Sequence, residues 1–216
     1  MGLLPIAASN EPDHLPFASP FPISPSMPMD PPPDLASLSL AEVARMVAER
    51  KLPPVERWNP EHCGDSEMRI ASDGTWFHQG SPIGRKEMVR LFSTILRREA
   101  DGGYVLVTPV EKLSIEVEDA PFIAVELSTE GTGESRTLAF RLNTGDLVMA
   151  DGEHRLSIRG TAEEPRPYIH VRSGLEALVA RTVFYELAAI ALEEQESADA
   201  PIGLWSNGTF FALEPA

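Results

Sequence analysis

The stretch Ile70-Ala-Ser-Asp-Gly-Thr-Trp-Phe77 predicts a β-hairpin, because an Asp-Gly pair separates two runs of residues suited to strands. A closely similar stretch, Leu204-Trp-Ser-Asn-Gly-Thr-Phe-Phe211, occurs near the C-terminus. Glycine readily adopts the positive φ of a two-residue type I′ turn, and Asp or Asn tolerates it. We therefore expect one structural unit used twice, with each hairpin preceded by a helix, over residues 40–51 and 174–192.

The residues after the first hairpin predict an amphipathic helix. Ser81-Pro82 has the pattern of a helix start, with a serine cap and a proline in the first turn. Asp101-Gly-Gly103 would end this helix. Its apolar face is expected to consist of six residues: Met88, Val89, Leu91, Phe92, Ile95 and Leu96.

Residues 104–159 alternate between strand and turn patterns, and a further strand is expected near Tyr168–Val171. Such a series predicts an antiparallel meander that curls into a small barrel or a strongly bent sheet. Apolar residues cover nearly the whole circumference of the helix expected over 174–192, so it should be the most buried helix. The predicted fold class is α+β, with two small domains that repeat hairpin and helix motifs.

Composition divides the chain into three parts. Residues 1–34 hold ten of the twenty prolines and predict a disordered tail. Residues 35–109 are expected to form an N-terminal α+β domain, which opens with a helix whose capping box is Ser39-Leu-Ala-Glu42. Residues 110–216 are expected to form a barrel-like C-terminal domain with a packed helix and a closing hairpin.

The distribution of charge argues against several classes of partner. The formal net charge is −15, and residues 35–181 carry 23 acidic against 18 basic side chains. Binding to nucleic acid or to an anionic membrane surface requires an excess of basic residues, so neither is favoured. The absence of a long apolar stretch and of a basic leader predicts a cytoplasmic protein.

Several segments resemble one known family. They are Trp58-Asn-Pro60 with Cys63-Gly64, Asp73-Gly-Thr-Trp76, Pro82-Ile-Gly-Arg85, Leu106-Val-Thr-Pro109 with Glu111-Lys112, Val117-Glu-Asp-Ala-Pro-Phe122, and Pro167-Tyr168 with Val171-Arg172. Together they are similar to the bacterial family called domain of unknown function 1285, over about residues 57–192. The resemblance implies two small domains with repeated motifs, and a C-terminal domain loosely similar to pleckstrin-homology folds. It also implies a ligand site at the domain interface and a role in signal transduction, but no catalytic residues.

The strand Arg166-Pro-Tyr-Ile-His-Val-Arg172 is the strongest candidate for a binding surface. Because side chains alternate along a strand, Arg166, Tyr168, His170 and Arg172 should share one face. Arginine and tyrosine on one face suit an acidic or planar ligand, although a salt-bridged surface would have the same pattern. A second candidate is the expected helix start at Arg85 and Lys86, where free N–H groups could bind an anion. Trp58 and Trp76 are expected as anchors.

The chain contains no nucleophile elbow, Walker sequence or zinc-protease motif. A single cysteine, Cys63, excludes an intrachain disulfide and multi-cysteine zinc sites. Asp151 and His154 could supply two metal ligands but are better explained as a turn, so we expect no metal and no cofactor. The sequence therefore predicts a non-enzymatic binding or regulatory module for a partner protein or a small acidic ligand.

Two other functions remain open on sequence grounds. The first is a hydrolase or transferase that uses His62 or His78 with Asp65. The second is single-stranded nucleic-acid binding through the barrel, which the net charge opposes.

Removal of residues 1–34 should leave stability almost unchanged. The segment is rich in proline and lacks a periodic apolar pattern, so it has no means of joining a core. We expect the melting temperature of a chain beginning at Leu35 to lie within about 2 °C of that of the full chain, measured by calorimetry. A much larger decrease would mean that the tail contributes contacts to the fold.

Overall fold

The computed structural model describes residues 52–195, 197 and 200–214, which form two six-stranded sheets, two α-helices and a two-stranded hairpin. The first sheet contains β1 (His62–Ile70), β2 (Trp76–His78), β3 (Ser81–Pro82), β4 (Leu96–Arg98), β5 (Tyr104–Val107) and β6 (Glu111–Val117). The second contains β7 (Phe122–Glu130), β8 (Thr137–Leu142), β9 (Leu147–Met149), β10 (Leu156–Gly160), β11 (Pro165–Arg172) and β12 (Leu175–Val179). The remaining elements are α1 (Lys86–Thr94), α2 (Arg181–Glu193), β13 (Gly203–Ser206) and β14 (Thr209–Ala212).

The two large sheets have the same topology. Their strand orders are β3-β2-β1-β6-β5-β4 and β10-β11-β12-β7-β8-β9, which become identical when the second is reversed. Each sheet consists of two antiparallel three-stranded meanders, and the first and last strands of the sheet pair in parallel at its centre. The expectation of a mostly antiparallel, curled sheet is confirmed for the second half of the chain. The first half contains a sheet of the same kind.

The hairpin near the C-terminus has the predicted turn. Asn207 and Gly208 have φ values of 47° and 73°, and Ser206 pairs with Thr209 across a two-residue connection. Positive φ at both central positions defines the type I′ turn that Asn-Gly favours. The side chains of Ser206 and Asn207 donate to the carbonyl of Ala150, so the hairpin is held against the second sheet.

The first hairpin has a different turn, so the prediction of two equivalent hairpins is wrong. Gly74 has a positive φ of 80°, whereas Asp73 does not adopt the left-handed region. The N–H of Gly74 donates to Ala71 O, and Ala71 N–H donates to Thr75 O, which gives a three-residue loop. This hairpin also forms part of a six-stranded sheet, whereas the other forms a separate sheet. The repeated unit is therefore the six-stranded sheet and not the hairpin.

Helix α1 is shorter than the sequence predicted. Ser81 and Pro82 form the edge strand β3, where proline is tolerated, and α1 begins only at Lys86. It ends at Thr94, because Leu96–Arg98 pairs with β5 as a strand. The predicted apolar face is only partly correct. Val89, Phe92 and Ile95 pack against the core and Leu96 is buried, but Leu91 is 62% exposed and Met88 also faces solvent.

The expected helix over 174–192 is correct only in its second part. Leu175, Ala177 and Val179 are buried on one face of β12, which is a strand pattern of period two. The helix α2 follows and buries one face against the core, while Tyr185 and Leu192 are more than half exposed. Three residues of α2, Val183, Leu187 and Ala191, are buried, against only Ser93 in α1, so α2 is the more buried of the two described α-helices, as predicted.

Strand β6 lies between β1 and β5, so the first sheet extends beyond residue 109, where the sequence predicted the first domain to end. The two sheets nevertheless share one continuous core, to which Trp76 and Leu96 contribute from the first sheet and Phe122 and Phe140 from the second. The predicted helix over 40–51 and the proline-rich segment lie outside the described residues.

Asn143 joins the two sheets at the tip of the first hairpin. Its side chain accepts from the N–H of Ile123 and donates to the carbonyl of Gly74. A Cβ at Gly74 would lie 2.7 Å from Ile123 Cγ1 and 2.6 Å from Asn143 Nδ2. Only glycine therefore suits both the backbone and the space at this position.

The two turn glycines should respond differently to alanine. Gly74→Ala adds a steric overlap to an unfavourable φ, and we expect a loss of about 2–4 kcal/mol in the free energy of unfolding. Gly208→Ala has the same backbone strain but open space around the new methyl group, so its cost should be about 1 kcal/mol. Urea denaturation of both variants tests the difference, and equal losses would show that the packing around Gly74 is unimportant.

Candidate functional site

The first two polar side chains of the predicted β11 face contact the segment that joins the two sheets. Arg166 Nη2 lies 2.7 Å from Asp119 Oδ2, and the hydroxyl of Tyr168 donates to Asp119 Oδ1 at 2.8 Å. Ile169 and Val171 point into the core as expected, but Tyr168 is also buried. Burial raises the pKa of Tyr168, and its bond to Asp119 raises it further. Arg166 and Tyr168 therefore fix the connection between the sheets.

His170 holds the turn that follows β11. Its Nε2 accepts from the N–H of Gly174 at 3.1 Å, and its Nδ1 lies 2.9 Å from the carbonyl oxygen of Glu153. An imidazole nitrogen that accepts a hydrogen bond carries no proton, so the tautomer that fits both contacts has its proton on Nδ1. Both ring nitrogens are used within the protein.

Arg172 differs from the other three residues of this face. Its Nη2 donates to the carbonyl of Ser93 at 2.6 Å, and its guanidinium lies 5.5 Å from the centre of the Phe122 ring. Among the described residues no carboxylate lies within salt-bridge distance of it. Burial lowers the pKa of Arg172, because removal from water disfavours the charged form. The guanidinium nevertheless stays charged at neutral pH.

The three buried arginines of the described chain have different partners from Arg172. Arg97, Arg136 and Arg141 all have side chains that are less than a tenth exposed, and each one contacts a glutamate. A carboxylate commonly offsets the cost of removing a guanidinium from water. Arg172 has instead a carbonyl, an aromatic ring and a longer-range attraction to Glu56, which opposes the effect of burial on its pKa. It therefore forms no close ion pair within the described part of the chain.

A cleft of about 520 Å³ lies beside Arg172. Five of its lining residues are apolar: Leu52, Leu147, Val148, Met149 and Val171. The other five are polar: Asp146, Asp151, His154, Arg172 and Asn207. Its volume and its mixture of an apolar wall with a few polar groups are typical of small-molecule sites. The sequence identified only Arg172 as a site residue, since the other polar residues are far apart in the chain.

Asp151 is held in a fixed orientation at the cleft. Its Oδ1 accepts from the N–H groups of Glu153 and His154, and it lies 3.1 Å from His154 Nδ1. Although burial opposes the shift, the bonds from His154 and Glu153 lower the pKa of Asp151 below its ordinary value. The carboxylate is therefore ionised at neutral pH, and the interpretation of this segment as a turn is consistent with its hydrogen bonds.

The two predicted anion sites do not converge. Arg85 precedes α1, whereas Arg172 contacts Ser93 near its other end, and a nine-residue helix is about 13 Å long. Arg85 and Lys86 are exposed. Arg85 and the Arg172 contact therefore lie at opposite ends of α1, and ligand binding by Arg85 and Lys86 stays a prediction.

The two tryptophans occupy different environments. Trp76 is buried in the core and stacks on Phe92, with the ring centres 6.4 Å apart. It is therefore inaccessible to a ligand in this structure. Trp58 is half-buried against a small cluster that includes Val55, and its carbonyl accepts from Arg97 Nη1. Its role as an anchor stays a prediction.

The residues of the predicted enzyme alternative do not form a constellation. Asp65 accepts from the N–H of Glu67, and His62 lies three positions earlier on the same strand, on the opposite face. No hydrogen bond joins His62 or His78 to Asp65 within the described ranges. Over those ranges there is also no cluster of three or more histidine, cysteine, aspartate or glutamate side chains that could hold a metal ion. No described helix is long and apolar enough to cross a membrane.

These observations define a two-domain α+β protein in which the main candidate site is the cleft beside Arg172, a residue that forms no close ion pair with any described carboxylate. The chain belongs to the family of unknown function called DUF1285. Residues 53–120 match the model of its N-terminal domain, and residues 121–213 match that of its C-terminal domain.

Solved structures of the same family are similar to this chain. A DUF1285 family protein from Silicibacter pomeroyi DSS-3 is 46% identical, with a TM-score of 0.69, over 82% of this chain and 96% of that one. A second, from Shewanella baltica OS155, is 25% identical, with a TM-score of 0.45, over 60% of this chain and 92% of that one. No curated protein matches the chain.

Asp119→Asn should lower the pKa of Tyr168. The substitution removes the negative charge and weakens the hydrogen bond that help to raise this pKa above 10.0, although the effect of burial remains. Carbon NMR of labelled tyrosine resolves the three tyrosines of the chain and measures each titration. Asp101→Asn, which changes a carboxylate bonded to Gly103, is the control. An unchanged value would mean that the hydroxyl of Tyr168 is free for a ligand.

Proposed function

We propose that this protein is a non-enzymatic binding module whose cleft binds a small ligand through an anionic group. The observation that carries the proposal is the half-buried guanidinium of Arg172, which forms no close ion pair with a described carboxylate and lies beside a cavity of about 520 Å³. A carboxylate or phosphate group would supply the close counter-charge that the three buried arginines already have. The Nε and Nη1 donors of Arg172 have no partner among the described residues, so two N–H groups remain for such a ligand.

The position of the cleft supports a site that both domains border. Leu52 immediately precedes the segment that matches the N-terminal family model, whereas Arg172 belongs to the C-terminal one. The bond from Arg172 to Ser93 ties the same guanidinium to α1 of the N-terminal domain. An anion on Arg172 would therefore act on both domains at once, which is the basis for a regulatory role in signal transduction.

The finer fold class is also part of this proposal. A curled, mostly antiparallel sheet followed by a helix, from β7 to α2, is the arrangement implied by a loose similarity to pleckstrin-homology domains. Domains of that general type bind ligands without catalysing a reaction. This agrees with a cleft in which Asp151 Oδ1 accepts from the backbone N–H groups of Glu153 and His154 and contacts the His154 ring.

The proposal is tested by NMR titration of the full chain with inorganic phosphate, acetate, hexanoate, 4-methylpentanoate, leucine and 6-aminohexanoate. We expect at least one probe to shift the amide resonances of the cleft residues. Arg172→Gln should weaken that binding about 10- to 100-fold, because a charge-assisted hydrogen bond is lost. Arg172→Lys, which keeps the charge, should lose less. The spectrum of each free variant shows whether its fold is intact.

Arg85→Gln is the matched control, since it removes the same charge at the far end of α1. The proposal predicts unchanged affinity in this variant. The absence of binding by every probe, or equal binding by Arg172→Gln, would contradict the proposal. Loss of binding in Arg85→Gln alone would place the ligand at the helix start.

A further inference from the structure

The charges that line the cleft are not those of a simple anion site. Arg172 contributes a positive charge and Asp151 a carboxylate, which also contacts His154, whereas the second carboxylate, that of Asp146, is buried and engaged within the protein. A ligand with only negative charge would be attracted by the guanidinium and repelled by the carboxylate of Asp151. The ligand that suits this cleft therefore carries charges of both signs.

The two carboxylates differ in how far they are already satisfied. Asp146 is only 4% exposed and accepts from the hydroxyl of Thr144 at 2.9 Å. It therefore belongs to the internal network of the protein. Asp151 is partly exposed, and its hydrogen bonds within the described residues all reach Oδ1. Its other oxygen, Oδ2, remains as an acceptor.

The fixed orientation of Asp151 makes it suitable for recognition. Two backbone N–H groups hold Oδ1, so the carboxylate does not have to be ordered when a ligand binds. Arg172 is fixed in the same way by Ser93 O. The cleft thus presents one pre-oriented cation and one pre-oriented anion.

Apolar residues supply the rest of the lining: Leu52, Leu147, Val148, Met149 and Val171. Because side chains alternate along β9 and Val148 and Val171 belong to the core, the apolar wall is formed mainly by Leu52, Leu147 and Met149. Such a wall would bury the hydrocarbon part of a ligand, at about 25 cal/mol per Å² of apolar area. A strongly hydrated, compact ion would not use this wall.

We propose that the cleft recognises a zwitterion with an apolar body, whose carboxylate contacts Arg172 and whose ammonium group contacts Asp151. Apolar amino acids and amino-alkanoic acids belong to this class. The proposal rests on the function proposed above and narrows it from an anion to an amino-carboxylate.

Matched pairs of probes test the role of the ammonium group. Leucine is compared with 4-methylpentanoate, and 6-aminohexanoate with hexanoate, by NMR titration of the full chain. Within a pair the two compounds differ only in the amino group. We expect the zwitterion of at least one pair to bind about 10-fold more tightly than its partner, since an ammonium–carboxylate hydrogen bond is charge-assisted.

Asp151→Asn tests the residue. An asparagine side-chain oxygen can accept the same backbone N–H groups, so the turn should persist while the negative charge is lost. The preference for the zwitterion should then disappear, and the two members of the pair should bind about equally. Asp73→Asn, at a similar turn where Oδ1 accepts from Thr75 N–H outside the cleft, should keep the preference.

The outcomes separate this proposal from the one on which it rests. Equal or tighter binding of the amine-free acids by the wild-type chain would overturn the zwitterion while leaving the anion site in place. A preference that survives Asp151→Asn would overturn the assigned residue. If no probe binds at all, both proposals fail.

Discussion

Parallel pairing of the first and last strands is the constraint on which each six-stranded sheet depends. β1 pairs with β6 and β7 pairs with β12, and each pair brings together two meanders that would otherwise be separate. Parallel strands cannot be joined by a tight turn, so a long connection is required. In both sheets the four intervening strands provide it. The long β11–β12 hairpin thereby lies next to β7, and Arg172 at its end reaches Ser93.

The sequence was most informative where structure is local. Asn207-Gly208 predicted its turn correctly, because two adjacent residues determine that geometry. Ser81-Pro82 misled, because proline suits both the first turn of a helix and an edge strand, and only pairing with Phe77 distinguishes them. Leu175–Val179 was assigned to a helix although its buried residues alternate, since the apolar run continues into α2. The alternating pattern of a strand was present in the sequence, but the length of the whole apolar run favoured a helix.

The candidate site was only partly predictable for a different reason. The β11 pattern singled out Arg172, which borders the cleft, although the pairing register shifts between His170 and Arg172. The residues that surround Arg172 come from positions 52, 146–154 and 207. No spacing rule connects such positions, because curvature of the second sheet and docking of the last hairpin bring them together. Nothing in the sequence indicated that Asp119 binds Arg166 and Tyr168, because Asp119 lies in the connection between the two sheets. A sequence can indicate which side chains share a face, but not which of them are already satisfied.

The shared topology also affects how these sheets meet their surroundings. In both sheets the longest strands are central or next to the centre, and three of the four outermost strands have only two or three residues: β3, β4 and β9. An edge strand exposes unpaired backbone groups that can recruit another chain, and a very short edge offers few of them. Proline at position 82 removes a further donor from the shortest edge. The shared topology therefore forms two large sheets in this chain while it exposes mostly short edge strands, through which few molecules could aggregate.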